Sequence, residues 1–307
     1  MRALFGAVAA TFILALPANV AAQTPPPPLV KAEGLRQVSA HVHVIPDNSV
    51  PMVPNVGIIV GERAALVVDT GLGPRNGATV VEAAQKLAGA RPLFLVVTHF
   101  HPEHDLGAQA FPASTKMIRS TDQEKDIAEF GLELAKVFAT RSPLHAELLK
   151  GADFRKADIT FEKDYDLDLG GVKARLIAMG PNHTRGDIAI WIDGDRVLFS
   201  GDIAMRAQPA FASPYSSLRQ WLASLDALEA LKPVLIVPSH GPNGDESAFI
   251  TGYRAYLTEV RDRTAAEKKA GRNVDQAVEA VTAALVARYP DRGRLAGAIK
   301  AAYAEAP

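Results

Sequence analysis

"PLFLVVTHFHPEHDLG", residues 92–107, sets a short apolar run against a hexad that holds His99, His101, Glu103 and His104. Only 8 histidines occur in 307 residues, so three within one hexad is a concentration that composition does not produce. The apolar run reads as a buried strand. Strand side chains alternate, so His99 and His101 are expected on one side and Phe100 on the other, in the core. Pro102 pushes His101 towards extended backbone and suits the first turn of a helix that would begin with Glu103 and His104. A strand end and a helix start would then aim four groups at one small volume. Imidazole and carboxylate in that arrangement suit zinc, with bonds of about 2.0–2.2 Å.

A metal there calls for further ligands at other strand ends, and the sequence offers three. His183 stands in "GPNHTRGD" (180–187) after the run "ARLIAM", Asp202 in "LFSGD" (198–202) after "RVLF", and His240 in "VPSHG" (237–241) after "VLIV". Each stands close to glycine, which lets backbone approach a site. The chain contains no cysteine, so any metal must be held by His, Asp or Glu.

With "VVDTG" at 67–71, the hexad at 99–104, "NHTRGD" at 182–187, "FSGD" at 199–202 and "PSHG" at 238–241, the chain resembles the metallo-β-lactamase superfamily of hydrolases over roughly residues 35–265. The resemblance implies an α/β fold, a four-layer αββα sandwich, with the site at one edge between two sheets. It implies two zinc ions, the first on His99, His101 and His183. Residue 103, His104 and His240 would hold the second, with Asp202 bridging and Asp69 supporting the site without ligating. The family's hexad normally carries aspartate where this chain has Glu103. One methylene moves the carboxylate by about 1.5 Å, large against a ligand tolerance of about 0.2 Å. Three outcomes follow: the backbone compensates and Glu103 binds the second zinc, that zinc is weakened, or Glu103 serves mainly as a general base. The first is the expectation, because His104, Asp202 and His240 all remain.

Zinc lowers the pKa of its water to about 7, and a hydroxide held beside Glu103 and Asp202, the two expected catalytic residues, would attack a carbonyl or phosphoryl centre. The expected reaction opens a cyclic amide (β-lactam), a lactone or a related ester in a small-molecule substrate. Two alternatives stay open, a non-catalytic periplasmic metal- or substrate-binding protein and a thioesterase of the glyoxalase II type. Absences narrow the subfamily: no cysteine ligand, no asparagine at position 99, and His101 where oxygen-reducing relatives carry glutamate. A net charge of −1 gives no bulk attraction to nucleic acid or anionic membranes.

Outwards from the motifs, strand-rich blocks alternate twice with helical ones. "RNGATVVEAAQKLAGA" and "SLRQWLASLDALEAL" have helical spacing, and the tail from Glu246 reads as helix. Residues 1–22 have the layout of a signal peptide, with basic Arg2, an apolar stretch that ends at Pro17, and small residues before Gln23. That stretch is shorter than the roughly 20 residues of a membrane span, so the mature protein is expected to be periplasmic or secreted with no span. Residues 23–34 read as a Pro-rich linker and 35–307 as the folded domain. The turn-rich segment 45–55 is the expected flap over the site, and amphipathic region 121–150 either covers its other side or packs as an ordinary helix. Tyr215 is a candidate for the pocket rim, Trp191 and Trp221 for the core, and His41, His43 and His145 for solvated or core-edge positions.

Overall fold

The computed structural model describes residues 25–205, 211–244 and 248–307; the expected signal peptide lies outside them. Seven strands form the first sheet in chain order: β1 (Arg36–Gln37), β2 (Val42–Ile45), β3 (Val56–Val60), β4 (Ala65–Val68), β5 (Leu93–Val96), β6 (Lys116–Ser120) and β7 (Ile159–Phe161). The first four pair antiparallel, and β4 to β7 run parallel, so each parallel step needs a crossover. Helix α1 (Gly73–Ala88) makes the first, and α2 (Pro102–Asp105) lies in the second. The third contains α3 (Thr121–Asp126), a π turn at Ile127–Gly131, α4 (Leu132–Ala139) and α5 (Pro143–Leu148). The second sheet has the order β12-β11-β10-β9-β8, built from β8 (Asp164–Asp168), β9 (Lys173–Gly180), β10 (Asp187–Ile192), β11 (Val197–Gly201) and β12 (Leu235–Pro238).

Alternation sorts the apolar side chains into layers. Val42, Val44, Leu66 and Val96 of the first sheet meet Leu176, Ile188, Ile190 and Phe199 of the second in the central core. The opposite face of the first sheet, with Ile58, Val67 and Leu95, is covered by Val80, Ala84 and Ala88 of α1. The opposite face of the second, with Trp191 and Leu198, is covered by Trp221 and Leu225 of α6 (Leu218–Ala230). The C-terminal helices α7 (Ala248–Lys269), α8 (Val274–Leu285) and α9 (Arg292–Glu305) belong to that same outer layer, through Tyr253, Leu257, Leu285 and Ile299. The αββα order is the one expected, and both tryptophans are core.

The stretch read as a linker carries packed structure of its own. Leu29 and Val30 donate their backbone N–H groups to Asn76 Oδ1 on α1, at 2.7 and 2.9 Å, and Val30 is buried. At the other end of the sandwich, Asp195 in the β10–β11 turn accepts from Ser39, the His41 backbone and the His41 ring, so His41 joins the two sheets at their shared edge. No helix among the described residues is long and apolar enough to cross a membrane.

Candidate metal centre

Strands β9, β11 and β12 run in one direction, since β10 is antiparallel to both neighbours and β11 parallel to β12. Their C-terminal ends therefore open on one edge, where His183, Asp202 and His240 follow. The end of β5 delivers the hexad to the same edge. Pairing on β5 stops at Val96, so the expected alternation does not extend to the histidines. His99 and His101 lie in a turn, their rings 4.6 Å apart and nearly perpendicular. Phe100 is buried, as expected, but also lines the cavity in front of the site. His101 is extended, with φ −61° and ψ 146°, and Pro102 opens α2, as its sequence position predicts. Glycines set the approach: Gly201 holds φ +56° immediately before Asp202, and a Cβ on Gly77 of α1 would lie 2.0 Å from the Gly107 carbonyl oxygen.

The seven residues come together in three overlapping groups, each with ligand atoms within 4.8 Å of one another: His99, His101 and His183; His99, His104 and Asp202; Glu103, His104 and His240. The longer carboxylate of Glu103 thus reaches the same space as His104 and His240. Four buried atoms in this cluster, His99 Nε2, His104 Nε2, Glu103 Oε2 and Asp202 Oδ1, have no hydrogen-bond partner among the described residues. Burying that many polar atoms unpaired costs about 1–3 kcal/mol each, which a shared cation would relieve. His183 Nε2 and His101 Nδ1 face each other at 3.1 Å, a further sign of lone pairs turned to a common point. The donor set is all nitrogen and oxygen, the chemistry of a divalent metal site.

The outward nitrogens of four of the five histidines are engaged, which fixes the inward ones. His104 Nδ1 lies 2.9 Å from Asp69 Oδ2, His183 Nδ1 donates to the Phe211 carbonyl at 2.6 Å, and His240 Nδ1 to the Val53 carbonyl at 2.9 Å. Thr98 Oγ1 contacts His99 Nδ1 at 3.1 Å and also bonds Asp69. Asp69 has φ +64°, a rare conformation for a non-glycine residue, and accepts the Thr98 N–H as well. Burial and then the neighbouring imidazoles hold His99 well below its usual pKa; burial and His183 do the same to His101. Burial opposes charge on His104 too, but Asp69, with Glu103 and Asp202, lifts it to about 9. Burial raises Glu103. It also works against the Asp202 charge, yet His183, His240, His104 and His101 prevail and hold that carboxyl well below the usual range.

Several supports were not singled out in the sequence. Asp187 accepts from the backbone N–H groups of His183 and Thr184 and from the Thr184 hydroxyl. Asn55 donates to the carbonyls of Pro238 and Gly241, and Asp47 accepts the Gly241 N–H, so the flap braces the His240 loop. Arg119 on β6 makes a two-point ion pair with Asp105 at the end of α2, both fully buried. The cavity over the site has a volume of about 770 Å³. Flap residues 47 and 49–52 line one side and α4 the other, and Tyr215 is on its rim.

Residues 50–240 match the profile of the Metallo-beta-lactamase superfamily, well over half of the chain. The acyl-coenzyme A thioesterase MBLAC2 of Gallus gallus is 28% identical over 189 residues, 58% of this chain and 67% of that one. A linear primary-alkylsulfatase of Pseudomonas sp. (strain ATCC 19151) is 23% identical over 261 residues, 73% of this chain and 49% of its own length. Among solved structures, the inverting sec-alkylsulfatase Pisa1 from Pseudomonas sp. superposes with a TM-score of 0.69 over 88% of this chain and 49% of that one, at 15% identity, a likeness of fold alone. The chain spans about half the length of both sulfatases. With the profile covering both halves of the sandwich and every motif at its edge, the chain belongs to the metallo-beta-lactamase superfamily of metal-dependent hydrolases.

Proposed function

We propose that this protein is a periplasmic or secreted hydrolase with two zinc ions that cleaves a carbonyl-centred bond, an ester, thioester, lactone or cyclic amide, in a small-molecule substrate. The observation that carries the reading is the set of four unpartnered buried ligand atoms at the base of a largely apolar cavity. His99, His101 and His183 would hold one ion and Glu103, His104 and His240 the other. Asp202, grouped with His99 and His104 from the two sets, would serve both. When bound, the metals supply Lewis acidity and a nucleophile drawn from water at neutral pH. The chain does the rest. The Asp202 and Glu103 carboxylates, whose Oδ1 and Oε2 are unpartnered among the described residues, would accept hydrogen bonds from the attacking water and orient it towards the substrate carbonyl, one of them taking the single proton that it loses on attack. The carbonyl contacts to His183 and His240, with Asp69 on His104, keep each imidazole in the tautomer whose Nε2 lone pair points inwards. Thioesters, kept as an alternative on sequence, join the main reading because a thioesterase is among the relatives.

The test is metal content by elemental mass spectrometry on protein purified without chelator, followed by turnover on a panel of these four bond types. Two zinc ions per chain, with activity lost on chelation and in His101→Ala, are expected. Turnover that survives both treatments would refute the reading. Cell fractionation checks export, and a cytoplasmic full-length product would remove that part of it.

A further inference from the structure

Among the described residues that line the cavity, three are arginines, and two of them are committed. Arg185 pairs with Asp126 and Glu129, and Arg294 pairs with Asp291. Arg141, just beyond α4, has no carboxylate partner among the described residues. Its guanidinium carbon lies 4.1 Å from the Phe138 ring centroid, and one N–H points to the Met52 sulfur at 3.1 Å. Thioether sulfur is a weak acceptor, and a guanidinium has five donors, so most of this fork is unspent. The only acidic cavity residue on α4, Glu133, is held by Lys136.

The position of Arg141 relative to the reacting site is set by one ring. Phe138 is 6.2 Å from the His101 ring and carries Arg141 on the cation–π contact. Between them and the flap runs an apolar wall of Val50, Met52, Leu134, Val137 and Phe138. Val137, on this wall, is 53% exposed, apolar surface that a helix facing only water has no need of. A bulky polar substrate would leave this wall unpaired, and a neutral one would leave the guanidinium unused.

We propose that the substrate is an anionic amphiphile: an ester or thioester whose apolar chain lies along the wall formed by the flap and α4 and whose carboxylate, or equivalent anion, is received by Arg141. This names the substrate class of the same site and rests on the hydrolase reading. Arg141 is a specificity residue. Its planar fork can take a carboxylate by two hydrogen bonds while stacked on Phe138.

Two measurements on the metal-loaded protein test it separately from hydrolysis. The first is calorimetric binding of decanoate and of decanol, below micelle-forming concentrations, to the wild type, Arg141→Gln and Arg141→Lys. Decanoate should bind at least about tenfold more tightly than decanol, as a charge-assisted hydrogen bond implies. That gap should vanish in R141Q and be only partly kept in R141K, which retains the charge but not the planar fork. A gap of equal size in R141Q, or no binding of either compound, overturns the proposal. The second is kcat/KM for nitrophenyl esters from butanoyl to dodecanoyl, each with and without a terminal carboxylate. A gain of about fourfold per methylene, and a carboxylate preference that falls in R141Q, are expected. A flat chain-length profile overturns the proposal. If no ester or thioester is turned over at all, the hydrolase reading fails, while the calorimetric contrast still decides the role of Arg141.

Discussion

Glu103 is the residue at which this chain departs from the usual hexad, and its geometry makes a counter-intuitive expectation. Its carboxylate sits with His104 and His240, carried there by a helical turn that Arg119 and Asp105 hold from behind. A side chain one methylene shorter on that same backbone would stop about 1.5 Å short. Restoring the common residue by Glu103→Asp should therefore weaken the second metal, by about 10- to 100-fold, the range typical of a displaced ligand partner. Metal titration with a chromophoric competitor reads this directly, and unchanged affinity would mean the backbone has slack enough for either carboxylate. Asp69 is the companion case. It fixes the His104 ring and the Thr98 backbone, so Asp69→Asn should cost a similar factor at the same metal while leaving the fold intact.

The elements show which of these devices a sequence reveals. All seven candidate ligands could be found because each follows an apolar strand, and strand ends on one edge must converge. The turn geometry of His99 and His101 was not legible, since nothing in "VVTHFH" marks where pairing stops. Nor was the Arg119–Asp105 pair: fourteen residues separate the partners, and a lone arginine in "KMIRS" reads as a surface side chain. Only the β5–β6 packing buries it. Breaking such a pair strands a charge, so Arg119→Met should destabilise the protein by about 3–5 kcal/mol. The double variant Arg119→Met with Asp105→Leu should recover most of that loss. Urea unfolding of the three proteins checks both; a double variant as unstable as the single one would mean the pair supplies more than charge balance. The flap was legible as a Pro- and Asn-rich turn region, but its bond to the His240 loop through Asn55 was not. That contact spans 183 positions, and local pattern carries no information over such a distance.

On the scale of the whole molecule, the candidate site is a seam between the two sheets. The Thr98 carbonyl accepts from Ile188, the Gly201 carbonyl from Ser239, and the Ser239 carbonyl from Asn55, so the hexad is bonded to β10 of the second sheet, and the Asp202 turn to the His240 loop and through it to the flap of the first. Charge placed on this seam acts on global stability. In the metal-free protein, His104 has its pKa raised to about 9 by the carboxylates around it, against an ordinary 6.5. The folded state therefore binds a proton more tightly than the unfolded chain. This stabilisation is complete below pH 6.5 and is lost as pH rises to 9. Burial raises Asp187 to about 8, which acts with the same sign up to that pH. The lowered histidines act in the opposite sense just above pH 6.5, where the unfolded imidazoles still lose protons that the folded ones do not carry, and offset part of this slope. Asp202 is ionised in both states and contributes none. Stability of the metal-free protein should thus fall by about 1–3 kcal/mol between pH 6.5 and 9. Added zinc should reverse the slope, since His104 sheds its proton more readily at higher pH and binding to the folded state alone is stabilising. Urea titrations across this range, with chelator and with zinc, measure both slopes. A metal-free protein that grows more stable towards pH 9 would show that Asp69 does not hold a charged His104, and that the seam is tied together by packing and backbone bonds alone.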